Sequence, residues 1–425
     1  MMKRILKSIA AFFLGIAAQG VLRRYRPKVL MVTGSVGKTS TKDAIAAVLA
    51  SRFFLWKSEK SYNSELGVPF TVLGVKNPWG DPISWILLLK RALALLILPN
   101  HYPNLLVLEV GADRPGDLAR ILRFVTPDAV VVTRLPEIPV HVEAYPSPDA
   151  VREEEFAPAH ALVNGAPLIL CTDDPYARML AKQTPATCFT YGESADAQVR
   201  VLDIGFSEEG AQVIGMRARV ESGEESGELV VKGSVGKTQI LPAAAALSAA
   251  AAFGVPLSEA IEALKAYEPP AGRGRLFAGK NGAVLIDDTY NSSPAAVEEA
   301  LATLARFPHA KHRIAVLGDM LELGRYSVTE HARIGELAGK AADIVIAVGI
   351  RSKAVADAAK GAETHSFENS AEAAKALPAL VSAGDVVLIK GSQSIRTERI
   401  TEELLANRED VSRLVRQESE WKRRA

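Results

Sequence analysis

The sequence predicts an α/β fold in two doubly wound domains, and three observations carry that prediction. Apolar runs alternate with helical patterns along almost the whole chain, the signature of parallel sheets built from βαβ units. A glycine-rich loop with a lysine, Val32-Thr33-Gly34-Ser35-Val36-Gly37-Lys38-Thr39-Ser40, sits directly between one such run and the helix after it. A Pro/Gly break, EPPAGRGR at 268–275, separates a first set of strands from a fresh one. The length of 425 residues leaves room for two to four domains at about 100–200 residues each. With 48% hydrophobic and 23% charged residues, wholesale disorder is excluded. Fifty Lys and Arg against 49 Asp and Glu argue against a protein held mainly to nucleic-acid phosphates, so no nucleic-acid partner is expected. Cys171 and Cys188, the only cysteines, stand in no metal-ligand spacing, which excludes a disulfide framework or zinc knuckle and favours a reducing compartment.

Taken in order, residues 5–22 (ILKSIAAFFLGIAAQGVL) are apolar, with Lys3 and Arg4 before them and Arg23, Arg24 and Arg26 after. The uninterrupted part, Ile9 to Ala18, is short of the roughly 20 residues that a spanning helix needs. An amphipathic helix is expected, either packed on a domain or laid on the inner face of a membrane. Strands follow at 29–34, 105–111, 129–134 and 167–172, with helices beginning near Thr39, Asp117 and Asp149. Residues 83–98 (ISWILLLKRALALLIL) are interrupted by Lys90 and Arg91 and read first as a helix packed on a core, because mid-run cations are costly in lipid. From 198 to 232 the alternating pattern suggests an antiparallel excursion or flap. Helices are expected at 242–253 and 258–266. Beyond the break, strands at 283–288, 314–319, 344–349 and 386–391 build the second doubly wound domain. The expected organisation is an apolar helix (1–28), a central P-loop domain on a mostly parallel sheet (29–268) and a Rossmann-like C-terminal domain (269–425).

The loop from Gly34 through Ser35, Val36, Gly37, Lys38 and Thr39 to Ser40 is the chemical signal. Backbone N–H groups of a glycine-rich turn and a helix N-terminus are unpaired donors at the positive end of the helix dipole, and they cradle phosphates. Lys38 would reach the terminal phosphates and Thr39 would hold Mg²⁺. Val32 occupies the first glycine position of the usual spacing, so the loop is a shorter form. The hexapeptide GSVGKT recurs at 233–238 without matching flanks and reads as a tight strand-to-helix turn, with a phosphate contact from Lys237 as the alternative. Glu109 and Asp113 fall at the carboxyl end of a strand, the edge where open α/β sheets bind ligands, and a carboxylate across from Thr39 suits Mg²⁺. His141 lies on the same rim, in a structural, metal or substrate role.

VTGSVGKTST, YNSELGVP (62–69), LEVGADRPGD (108–117), HVEAY (141–145), the Arg273 region, IDDTYNSSP (286–294), VLGDMLELG (316–324) with His331, and KGS (390–392) occur in that order. Together, from about residue 30 to 405, they resemble the Mur ligase family. The resemblance implies an ATP- and Mg²⁺-dependent ligase that joins a carboxylate to an amine through an acyl phosphate and a tetrahedral intermediate. It implies Lys38, Glu109 and His141 as catalytic residues, and Thr39, Glu109 and His141 as metal ligands. Arg273, Asp288 and Asn291 would meet the nucleotide, and Asn63, Lys390 and Ser392 the substrate. Asn291 to Ser293 also suit a helix cap, with Pro294 in the first turn.

Two departures from the family pattern stand out. Many members carry a carbamylated lysine shortly after the His141 position, whereas this chain has DAVREEEFAP and no lysine between Lys90 and Lys182. Glu153 is taken as the replacement carboxylate, with Glu154 and Glu155 as alternatives and a solvated helix face as another. Only about 30 residues precede the phosphate loop, where the family keeps a domain that grips a UDP-sugar. The expected partners are therefore a carboxylate-bearing cell-wall precursor, an amino acid or dipeptide such as D-Ala-D-Ala, peripheral membrane contact through 5–22 and 83–98, and a partner chain for the UDP-sugar. The expected location is cytoplasmic, at the inner membrane face. Alternatives are the same chemistry on a lipid-linked or polyglutamyl-type carboxylate, or an ATPase scaffold that has lost ligation.

Overall fold

The computed structural model of the chain describes residues 2–59, 62–78 and 81–422; the side chains of 2–9, Lys3 and Arg4 among them, and of 419–420 lie outside that description. The first sheet holds β1 (Lys28–Thr33), β2 (Leu55–Lys57), β3 (Leu105–Glu109), β4 (Ala129–Val132), β5 (Pro167–Cys171), β6 (Thr187–Gly192), β7 (Val199–Glu209), β8 (Gln212–Ser222) and β9 (Glu225–Lys232). Their order is β2-β3-β1-β4-β5-β6-β7-β8-β9. Pairing is parallel from β2 to β7 and antiparallel across β7, β8 and β9. In β3 and β4 every residue is buried, and in β1 every residue after Lys28. Helices cover both faces, which is why these strands read as unbroken apolar runs.

The 198–232 segment is antiparallel, as its alternation suggested, but it is no separate flap. Tyr191 pairs with Val199 and Gly192 with Arg200, so the meander extends the same sheet. Its inward residues, among them Val201, Ala218, Val220 and Leu229, share a core with the helix Lys237–Ala252. That helix starts at the lysine of the second GSVGKT, five residues earlier than the 242 expected from its alanines. It lies against the helix Lys38–Leu49, and its buried alanines 243–246, 249 and 250 allow the close approach.

On the other face, Met31, Leu106, Leu108, Val130 and Leu168 meet a second apolar core. The helix Met2–Tyr25 contributes Leu14, Ala18 and Val21 to it, and the helix Pro82–Ile97 contributes Leu88, Ala92 and Leu95. Asp81 caps the latter by accepting from the N–H groups of Ile83 and Ser84, with Pro82 in the first turn.

The second sheet holds β10 (Arg275–Ala278), β11 (Val284–Asp288), β12 (Arg313–Gly318), β13 (Ile344–Val348), β14 (Glu363–Phe367) and β15 (Val386–Lys390), in the order β10-β11-β15-β12-β13-β14. All pairs are parallel except β10 with β11. The edge strands β10 and β14 escape the sequence pattern: RLFA is short, and ETHSF is polar and largely exposed. The fold is therefore mixed α/β with two large, mostly parallel sheets.

Candidate functional site

The glycine-rich loop closes β1 and opens the helix Lys38–Leu49. Gly34 and Gly37 adopt φ of 112° and 92°, a region that side chains rarely enter, and a Cβ at Gly34 would strike Thr133 Oγ1 at 2.4 Å. The loop is tied to the end of β4: Ser35 N–H donates to the Arg134 carbonyl at 3.0 Å, and Thr133 Oγ1 donates to the Thr33 carbonyl at 2.9 Å. Lys38 curls back so that Nζ donates to the Gly34 carbonyl.

Under the loop, Thr39 Oγ1 donates to Glu109 Oε1 at 3.2 Å, and Glu109 is buried at the end of β3. Its backbone N–H donates to Ser58 Oγ at 3.1 Å, and Lys42 Nζ stands 3.5 Å from Oε2. Among the described residues Oε2 accepts no hydrogen bond. A hydroxyl and a buried carboxylate whose second oxygen faces only the Lys42 ammonium form a hard-oxygen pair that fits Mg²⁺. Asn63 joins them: a Cβ on Gly111 would lie 3.2 Å from Asn63 Nδ2 and 3.4 Å from Lys38 Nζ, so both side chains pack close against Gly111.

The three glutamates of the helix Pro148–His160 separate cleanly. Glu153, the expected metal ligand, is a correction: it is half exposed and its nearest charged partner is His160, 3.7 Å away. Glu154 caps another helix by accepting from the N–H groups of Gly116 and Leu118, each at 2.9 Å. Glu155 is the one at the loop. It is buried, accepts from Gly34 N–H at 3.2 Å and Thr33 Oγ1 at 3.0 Å, and its Oε1 lies 3.6 Å from Lys38 Nζ.

His141 has φ of 66° and meets carboxylates from two sides: Glu322 at 2.7 Å on Nδ1 and Asp113 at 3.5 Å on Nε2. Burial alone would lower the imidazole pKa, but Glu322 and Asp113 outweigh it and raise it. Glu322, whose own pKa is lowered by this bond, sits in the second-sheet half of the chain, so the pair bridges the two halves. Glu322 lies in the VLGDMLELG motif, whose pattern alone does not single it out. Arg134 and Glu299 form a second bridge at 2.6 Å.

Asp113, His141, Asn291, Glu322 and Ser392 all line one cavity of about 460 Å³ between the halves. Beside it, Lys390 is buried and donates to Asp288 Oδ2 at 2.7 Å and to the Asn291 carbonyl at 3.0 Å. Burial pulls this ammonium below the usual lysine range against the opposing pull of Asp288. Lys390 thus holds the Asp288–Asn291 turn rather than facing the cavity. Ser293 caps the following helix by accepting from Ala296 N–H, with Pro294 at its start, so the cap and the site coexist. His331 is structural: Nε2 accepts from Met320 N–H at 3.0 Å, and Nδ1 bonds the Ser327 carbonyl at 2.7 Å.

The second GSVGKT is not idle. Lys237 and Thr238 line a cavity of about 130 Å³ together with Val36 and Gly37 of the first copy, so the two hexapeptides face one space. Lys237 pairs with Glu193, and Ser234 Oγ donates to the Arg273 carbonyl at 2.6 Å. Arg273 itself stacks over the Tyr290 ring at 4.2 Å.

Comparison with known proteins adds the following. The model of the Mur ligase middle domain matches residues 32–250, and that of the Mur ligase glutamate ligase domain matches residues 272–393. The UDP-N-acetylmuramoyl-tripeptide–D-alanyl-D-alanine ligase of Bacillus subtilis (strain 168) is 27% identical over 91% of this chain and 78% of its own. That of Mycobacterium leprae (strain TN) is 30% identical over 86% of this chain and 71% of its own. Among solved structures, the MurF ligase from Thermotoga maritima in complex with ADP superimposes with a TM-score of 0.76 at 26% identity, covering 92% of this chain and 83% of that one.

Proposed function

The chain belongs to the Mur ligase family, and from that premise we propose an ATP-dependent ligase that joins a peptidoglycan precursor's carboxylate to the amine of a dipeptide. The relatives' names give UDP-N-acetylmuramoyl-tripeptide and D-alanyl-D-alanine as that pair. The observation that carries the reading is the buried Thr39–Glu109 pair under a phosphate loop whose Val36 and Gly37 line a cavity shared with Glu299 of the second half.

Phosphates rest on the N–H groups of Gly34 to Ser40, and the nucleoside reaches toward the space between the two hexapeptides. Lys38 releases the Gly34 carbonyl and neutralises charge spreading over the transferring phosphoryl oxygens. Thr39 and Glu109 would hold Mg²⁺, which would supply further charge neutralisation at the phosphates. Asn63 and Ser392 orient the reacting carboxyl and amine, and the His141–Glu322 bridge keeps the halves together around them.

ADP release is the test, with UDP-muramoyl tripeptide and D-Ala-D-Ala each omitted in turn. Turnover that needs both supports the reading; equal turnover without them overturns it. We place the reaction in the cytoplasm, where ATP is. A second reading, the same chemistry on a lipid-linked carboxylate, is favoured by the exposed apolar face of the two helices at 10–25 and 82–97. Replacing the UDP-linked acceptor by a polyprenyl-linked one separates the two.

A further inference from the structure

The helices Met2–Tyr25 and Pro82–Ile97 lie side by side at their C-terminal ends. A Cβ on Gly20 would meet Leu96 at 2.8 Å, Tyr25 Oη donates to the Leu95 carbonyl at 3.0 Å, and Arg24 donates to the Leu98 carbonyl at 3.1 Å. One face of each helix fills the core beneath. The other face is apolar and uncovered. Phe12 and Phe13 are 65% and 64% exposed, and Ile16, one turn before the Gly20 contact, is 51% exposed. On the second helix Leu89, Leu93 and Ile97 are 61%, 58% and 62% exposed, Leu93 standing one turn before Leu96. Isolated exposed apolar residues are ordinary; a cluster on paired helices is not.

Apart from the exposed cap residue Asp81 at the N-terminal end of the second helix, the charges around this face have one sign. Arg23, Arg24, Arg26 and Lys90 are exposed, Arg91 is half-buried, and neither helix carries an Asp or Glu. Among the described residues no helix is long and apolar enough to cross a membrane. A second copy docking by the same face would set cation against cation with no acid in either helix to answer. An anionic lipid surface answers both features, taking the apolar side chains below the headgroups and pairing the cations with lipid phosphates. We infer that this two-helix face seats the protein on an anionic membrane surface, with Phe12, Phe13, Ile16, Leu89, Leu93 and Ile97 inserted and the basic residues at headgroup level.

The inference stands on this surface and not on the ligase reading, and turnover in solution reports on the latter separately. The full chain is sedimented with phosphatidylcholine vesicles, with or without about 30% phosphatidylglycerol, at moderate salt. Two double variants are compared with it: Phe13→Ser with Leu93→Ser, and Arg23→Glu with Lys90→Glu. All four positions are exposed, so both variants keep the fold and their solution turnover. The wild type is expected to sediment with the anionic vesicles and about fivefold less with phosphatidylcholine alone, and each variant to lose about fivefold on the anionic vesicles. No association with either vesicle overturns the inference, as does association that both variants leave unchanged. A dimer in solution that the serine variant dissociates, without vesicle binding, overturns it in favour of a second copy.

Discussion

Glu155 Oε1 lies 3.6 Å from Lys38 Nζ, while Glu155 Oε2 accepts the Gly34 N–H, so a buried carboxylate is built into the phosphate loop itself. An encoded carboxylate needs no CO₂ to form, unlike a carbamylated lysine. Activity is expected to be the same with and without added bicarbonate. Glu155→Gln keeps the shape and removes the charge, and is expected to lower kcat by about 100-fold if the carboxylate shapes the charge at the transferring phosphoryl. Bicarbonate-dependent turnover of the wild type, or a fully active Glu155→Gln, contradicts this role.

In the proposed mechanism Lys38 and Glu109 both serve the transferring phosphoryl group, Lys38 directly and Glu109 through Mg²⁺. Lys38→Ala and Glu109→Ala should each lower kcat by about 100-fold or more. Because the two residues serve one transition state, the double variant should lose much less than the product of the single losses. Glu109→Ala should also raise the Mg²⁺ concentration for half-maximal activity, which Lys38→Ala should leave nearly unchanged. Near-normal rates in both single variants would remove the mechanism.

Much of this architecture was legible because the interior strands are buried on both faces and so announce themselves as apolar runs. The edge strands were not, since the polar β14 owes its place to backbone pairing with β13. The choice among the three glutamates was readable in principle. Val151, Glu155 and Ala159 recur every four residues on the buried side of their helix, which leaves Glu153 turned outward. The bridge from His141 to Glu322 was not readable, because it depends on how two separate halves dock and on two loop residues with positive φ.

The same bridge makes the docking of the halves sensitive to pH. His141 has a folded pKa above the ordinary 6.5, so its contribution is complete below that value and is lost as pH rises through the raised one. Glu322→Gln removes the facing charge and should bring the His141 pKa down, read from its imidazole resonances by NMR. A pKa that does not move shows that Glu322 is not its main partner.

His331 has the opposite sign. Burial lowers its pKa, so the neutral ring that bonds Met320 and Ser327 stabilises the fold above the ordinary 6.5. That contribution is lost as pH falls from 6.5 toward the folded value. His331→Ala should cost about 1–3 kcal/mol at pH 7.5, leaving Met320 N–H unsatisfied. The gap between wild type and variant in thermal melts should narrow at pH 5.5, and a constant gap contradicts the assignment.

Asp287, fully buried beside Asp288, accepts from Thr289 Oγ1 at 2.7 Å and Thr401 Oγ1 at 3.0 Å on Oδ1, while Oδ2 has no partner among the described residues. Burial pushes its pKa up from 3.8 to about 6 despite the two hydroxyls. The folded state therefore binds this proton more tightly than the unfolded one, and stability falls as pH rises from the ordinary value through about 6. A shift of that size corresponds to roughly 3 kcal/mol at neutral pH. Asp287→Asn preserves the acceptor for both threonines and removes the buried charge. At pH 7 its melting temperature should equal or exceed that of the wild type, and the advantage should shrink at pH 5, where the wild-type carboxyl is itself protonated. A variant several degrees less stable at pH 7 would mean that the charge is compensated within the fold.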